Sequence, residues 1–115
     1  MRRGDVVWVD LDPARASEAN TRRPAVMVNN DGANRTAARP GRGVVTVVPM
    51  TTNVERVYPF QVLLDADRCG LPSTSKAQAE QIRSVSIDRV GETLGRLPAD
   101  LLDDLARAIR LHVAI

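Results

Sequence analysis

Residues 43–51, GVVTVVPMT, decide the fold. Valine and threonine are stiff at χ1 and favour extended backbone, and the run is too short and too β-branched for a helix. Its apolar residues are nearly continuous and do not alternate with polar ones, which predicts a central strand buried on both faces. Pro49 lacks an N–H, so pairing should weaken near the strand's end.

Other elements gather around this strand. Residues 5–11, DVVWVDL, alternate loosely and predict a first strand that Asp12-Pro13 ends. Residues 14–22 are small, polar and aperiodic, and read as a loop. A second strand is expected from Arg23 to Asn30, because the residue before a proline is driven into extended geometry. Residues 29–43, rich in Asn, Gly and Arg, read as a long turn-rich loop. Beyond the central strand, VYPFQVLL (57–64) predicts a strand, with Pro59 implying an edge or a bulge. Residues 65–75 read as loop. SKAQAEQIRSVS (75–86) suits a short strand followed by a helical turn, and ETLGRL (92–97) suits a last short strand. From Pro98 the periodicity becomes helical. Acids stand in the first turns, and Leu101, Leu105, Ile109 and His112 or Val113 share one face. The expectation is one mostly β domain with a C-terminal helix, an α+β chain spanning residues 1–115.

Composition narrows the chemistry. Of 115 residues 43% are hydrophobic, enough for one core, with Trp8, Tyr58 and Phe60 as the aromatics. Cys69 is alone, which excludes an intramolecular disulfide and a cysteine zinc site. The N-terminus has no apolar h-region and no run approaches membrane-span length, so a soluble cytoplasmic protein is expected. His112 is the one histidine, which removes two-histidine acid–base catalysis within one subunit. GRGVVTVV lacks the lysine and spacing of a phosphate-binding P-loop. Asp103-Asp104 reads as a solvated helix face. No metal or other cofactor is called for.

Of sixteen cationic residues fifteen are arginine, and only Lys76 is not. Between Arg15 and Arg42 six arginines (15, 22, 23, 35, 39 and 42) face two acids, Glu18 and Asp31. Such an excess suits phosphate or an acidic peptide, although a coding bias toward arginine gives the same composition. Position is more telling. Arg23 stands at the mouth of an apolar strand with Pro24 restricting its backbone. It is either a solvated loop charge or a fixed cation waiting for an anion, and in the second case it suits stabilisation of a phosphorus-centred transition state. Thr51-Thr52 at a strand end and Gln81-Ile82-Arg83-Ser84 after a short element add polar groups. Each taken singly also fits turn chemistry or a surface amide.

The order of these motifs resembles the MazF/PemK family of bacterial toxins. RGDVVWVDLDP (3–13) resembles the family's opening strand. SEANTRRPAVMVNND (17–31) resembles its Ser-Glu loop followed by Arg-Pro and an apolar strand, and VVPMTT (47–52) its strand ending in threonine. YPFQVLL (58–64) and AEQIRSV (79–85) complete the set. The resemblance implies a small SH3-like, CcdB-like β-barrel with a C-terminal helix, usually a homodimer. It implies a metal-independent endoribonuclease of a type II toxin–antitoxin module. Single-stranded RNA would be cut at short sequences to leave 2′,3′-cyclic phosphate and 5′-hydroxyl ends. Carried over residue by residue, Arg23 and Thr51 are the catalytic pair, and Glu18, Ser75 and Gln81 contact substrate. Arg35, Arg39 and Arg42 are expected to hold the RNA backbone, and an antitoxin with an acidic, disordered segment is the expected protein partner. Ala16, where the family often has glycine, and Lys76 and Gln78, where it often has apolar residues, depart from the pattern. Two other readings share these features: a CcdB-like gyrase poison, which has no need of Arg23 and Thr51 together, and an RNA-binding module without catalysis.

Overall fold

Two valine-rich runs, with a shorter apolar segment between them in the sheet, form its middle. A computed structural model describes residues 2–11, 22–30 and 43–115. In chain order its elements are β1 (Asp5–Asp10), β2 (Arg22–Met27), β3 (Val44–Thr51), β4 (Gln61–Leu64), a one-turn helix α1 (Ala66–Cys69), β5 (Ser75–Gln78), β6 (Arg83–Ser86), β7 (Val90–Arg96) and α2 (Ala99–Val113). Single 3₁₀ turns lie at Ala79–Gln81 and Ile87–Arg89.

The strands run antiparallel in the order β4-β5-β3-β2-β1-β7, with β6 also paired to β3. Central β3 is buried on both faces, as its sequence demands. Val48 and Met50 point into one apolar cluster with Val6, Val26, Leu64, Leu101 and Leu105. Val45 and Val47 point into a second with Val7, Val9, Ala25, Met27 and Val85. The two-residue period of a strand thus assigns alternate valines to two cores. Helix α2 covers the first, burying Leu101, Leu105 and Ala108. The sheet curls over the second, where Leu11, Ile87 and Val90 close it.

The expected barrel is open. Among the described residues β4 and β7 end the strand path without pairing to each other, and β4 packs against α2 instead. Other boundaries also moved. The strand at 57–64 begins only at Gln61, because Tyr58, Pro59 and Phe60 form a turn in which the Tyr58 carbonyl accepts from the Gln61 amide at 2.8 Å. The stretch expected as loop holds α1, capped by the Asp65 carboxylate and by Gly70 in the left-handed region at φ 70°. Residues 75–86 contain two strands and not one, separated by the 3₁₀ turn. The second strand starts one residue early, at Arg22. His112 is exposed, its ring tilted against Phe60 at 6.5 Å, so it does not join the buried helix face.

Candidate active site

Two prolines open the sheet where the site lies. In the ladder between β2 and β3 the pairs are Met27↔Val47, Val26↔Val48 and Ala25↔Pro49, and there pairing stops. Pro24 and Pro49 lack the N–H needed to continue it. The same register carried on places Arg23 opposite Thr51 across the resulting gap. On the other side of β3, the partner changes at the same point. Residues Val44–Val47 pair with β6, whereas Met50 and Thr51 pair with β5. The turn Ala79–Gln81 bridges that change of partner and delivers Gln81 to the gap.

The result is a cleft of about 290 Å³ whose polar lining is Arg23, Thr51, Gln78, Gln81 and Arg83, over a floor of Leu11, Pro49 and Met50. Arg23 and Arg83 are exposed, and neither forms an ion pair among the described residues. Two unneutralised guanidinium groups facing one small cleft favour an anion there. The half-buried Thr51 hydroxyl oxygen accepts the backbone N–H of Asn53 at 3.2 Å. Its own proton is therefore free to point at a ligand.

Arg23 also borders a second cavity of about 270 Å³, between Trp8, Pro24, Met50 and Leu94 on one side and Thr52, Leu71 and Ser75 on the other. Thr51 and Thr52 thus face different cavities, as alternation along a strand requires. Arg22 lies over the Trp8 ring at 5.4 Å.

Of the residues singled out in the sequence, Arg23, Thr51 and Gln81 meet in the first cleft. Ser75 does not. It is buried on the second cavity, and its hydroxyl donates to the Ser73 carbonyl at 3.1 Å. Glu18, Arg35, Arg39 and Arg42 lie outside the described residues. Gln78 and Arg83 also line the cleft: Arg83 belongs to the polar stretch Gln81–Ser84, whereas Gln78 stands out in the sequence only as a departure from the family pattern. Arg83 stands two positions beyond Gln81 at the start of a strand, a spacing that would have suggested a shared face had β6 been recognised. Among the described residues no three His, Cys, Asp or Glu side chains converge as a metal site.

The family model for the PemK-like, MazF-like toxin of type II toxin–antitoxin systems matches residues 2–113. The chain belongs to this PemK/MazF family. It is 58% identical over 113 residues to Endoribonuclease MazF9 of Mycobacterium tuberculosis, covering 98% of this chain and 96% of that one. It is 28% identical over 116 residues to Endoribonuclease EndoA of Bacillus subtilis, covering 100% and 96%. Its fold superimposes with a TM-score of 0.77 on a mycobacterial endoribonuclease solved with its cognate antitoxin, at 23% identity and with 100% and 96% of the chains covered. MazF from Deinococcus radiodurans also gives 0.77, at 25% identity over 100% and 97% of the chains. No described helix is long and apolar enough to cross a membrane.

Proposed function

We propose that this PemK/MazF chain is the toxin of a type II toxin–antitoxin pair, an endoribonuclease that cuts single-stranded RNA in the cytoplasm as a homodimer and thereby halts translation. An antitoxin with an acidic, disordered segment is its proposed inhibitor. The observation that carries the catalytic assignment is that Arg23 and Thr51 line one cleft, beside the point where β2–β3 pairing stops at Ala25↔Pro49.

The reaction suits these groups. The ribose 2′-oxygen attacks the adjacent phosphorus, the 2′-O–P bond forms, and the bond from phosphorus to the 5′-oxygen breaks. A 2′,3′-cyclic phosphate and a 5′-hydroxyl remain. The 2′ proton leaves to water and the departing oxygen regains one, so protons balance. Negative charge gathers on the non-bridging oxygens as the attack proceeds. Arg23 meets that charge with a guanidinium fork that stays protonated, and Thr51 donates a hydroxyl hydrogen bond to it. Arg83 adds a second cation at the rim, and the Gln78 and Gln81 amides hold the sugar or base. A guanidinium holds its proton too tightly to be a good proton carrier. Electrostatic stabilisation is therefore its role here. Glu18, Ser75, Arg35, Arg39 and Arg42 are proposed to contact the RNA beyond the cleft.

Incubating the purified protein with end-labelled RNA in EDTA tests this reading. Fragments with cyclic phosphate ends are expected. Binding without cutting would reduce the protein to an RNA-binding module, and neither binding nor cutting would favour a poison acting through protein contact.

A further inference from the structure

Lys76 is the chain's single lysine, and β5 buries it. Only 8% of its surface is exposed, yet among the described residues it has no carboxylate partner. A buried charge is costly unless it is paired or hydrogen-bonded. Its ammonium donates to the Arg56 carbonyl at 2.6 Å, and two further N–H donors remain. It lines a cavity of about 540 Å³ with Asn53, Glu55, Arg56 and Tyr58. Arg56 and Lys76 lie 5.8 and 5.9 Å from the Tyr58 ring, and Arg56 Nη1 donates to the Tyr58 hydroxyl at 3.3 Å. Tyr58 stacks on Phe60 with ring centroids 5.4 Å apart and planes 4° from parallel, which fixes its orientation and leaves it 41% exposed. The Glu55 carboxylate at the rim opposes anions, but it pairs with neither cation among the described residues.

The position of this cavity gives it meaning. Lys76 is the direct register partner of Thr51. Opposed residues of an antiparallel pair share a face, with Cα atoms about 4.5–5.5 Å apart. A phosphate held at Thr51 therefore has Lys76 as its neighbour on the same face of the sheet. We infer that the Lys76–Arg56–Tyr58 cavity is a second RNA subsite, in which the two cations bind the phosphate of a nucleotide neighbouring the cut and Tyr58 stacks its base. This rests on the endoribonuclease reading above. Cations interleaved with an exposed aromatic ring are the arrangement that holds single strands. A carboxylate from an acidic protein segment would satisfy the cations too, but it would have no use for the stacked ring.

The test uses a fluorescent segment of an RNA that the wild-type protein cuts, with a 2′-deoxy sugar at the cut position. Its binding is followed by anisotropy across a range of salt for wild type, Lys76→Met and Tyr58→Leu. Lys76→Met is expected to weaken binding and to reduce the salt slope by about 0.7, the share of one phosphate on a single strand. Tyr58→Leu is expected to weaken binding roughly 5- to 150-fold with the salt slope kept, the loss of one stacked base. If Lys76→Met unfolds, the exposed Arg56→Gln replaces it and is expected to reduce the slope likewise. Variants that bind this RNA with unchanged affinity and slope overturn the inference. So do variants that lose affinity only for an Asp/Glu-rich peptide. A wild-type protein that cuts no RNA would instead overturn the proposed function, and that control is read before any variant.

Discussion

Two glycines of β7 differ in what a methyl group would meet, and the difference sets a measurable stability gap. A Cβ at Gly95 would lie inside 3.0 Å of the Cys69 carbonyl oxygen, with the Gly70 oxygen at 3.2 Å and the Cys69 carbonyl carbon at 3.3 Å. All three are backbone atoms at the end of α1, so no rotamer change relieves the overlap. A Cβ at Gly91 meets Arg22 Nη2 at 3.0 Å, the movable tip of a side chain, and then only Trp8 atoms at 3.5 Å. Neither glycine has a positive φ. Both alanine variants gain about 0.4–1 kcal/mol by narrowing the unfolded ensemble. Overpacking at Gly95 costs about 1–3 kcal/mol. The net expectation is a loss of about 1–2 kcal/mol for Gly95→Ala and a change within about 0.5 kcal/mol for Gly91→Ala. At roughly 4 °C per kcal/mol for a domain of this size, Tm falls about 4–8 °C in the first and moves by no more than about 2 °C in the second. Far-UV circular dichroism on heating and urea titration read both. A displaced Cys69-Gly70 carbonyl pair would also shift Leu71 and Ser75, which line the cavity beside Arg23. A Gly95→Ala protein as stable as wild type, or a Gly91→Ala protein that is the weaker of the two, would refute the reasoning.

Other outcomes follow from single side chains. Thr51→Val, which keeps shape and removes the hydroxyl, should lower single-turnover cleavage about 10²–10³-fold if that hydroxyl donates to the transition state, while Thr52→Val should leave a smaller defect because it faces the other cavity; the reverse order would move the active register by one residue. Leu105, fully buried between α2 and the sheet, should cost about 2–5 kcal/mol on Leu105→Ala in urea unfolding, and a loss below 1 kcal/mol would mean that α2 is loosely docked. Burial pushes the Cys69 thiol up, with Asp65 and Asp100 acting in the same direction and Arg68 opposing. Its thiolate is therefore scarce near pH 8, and a disulfide dye should label the native protein slowly and the urea-unfolded protein fast. Fast labelling of native protein would contradict the packing of α1.

Much of the fold was legible because the strongest local signals and the tertiary contacts agree. The valines of β1 and β3 and the 3.6-residue period of α2 each have one good solution, and the structure adopts it. Where signals were short, they failed. Helix α1 is four residues long, and its caps, Asp65 and Gly70, also read as loop chemistry. Strand β6 falls where a helical turn is expected after the short strand, because its pattern, Arg-Ser-Val-Ser, offers a single buried residue, Val85. The edge at β4 was overextended because Tyr58 and Phe60 favour strands, whereas Pro59 between them forms a turn. At the candidate site, Pro24 and the strand end mark Arg23 and Thr51 as polar candidates, and it is the family resemblance that makes them a pair. Their mutual approach was not legible, since it depends on the shared register of β2 and β3. Nor was the burial of Lys76 legible, because nothing local distinguishes a lysine enclosed by β4 and the 53–58 segment from a solvated one.

The central claim is that Arg23 stabilises the charge of an RNA-cleaving transition state, and single-turnover cleavage measures that directly. Wild type and Arg23→Ala, both shown folded, are compared on one end-labelled RNA at saturating protein in EDTA. The account predicts that wild type yields cyclic-phosphate ends and that Arg23→Ala cuts about 10²–10³-fold more slowly. Equal rates for the two folded proteins would contradict it.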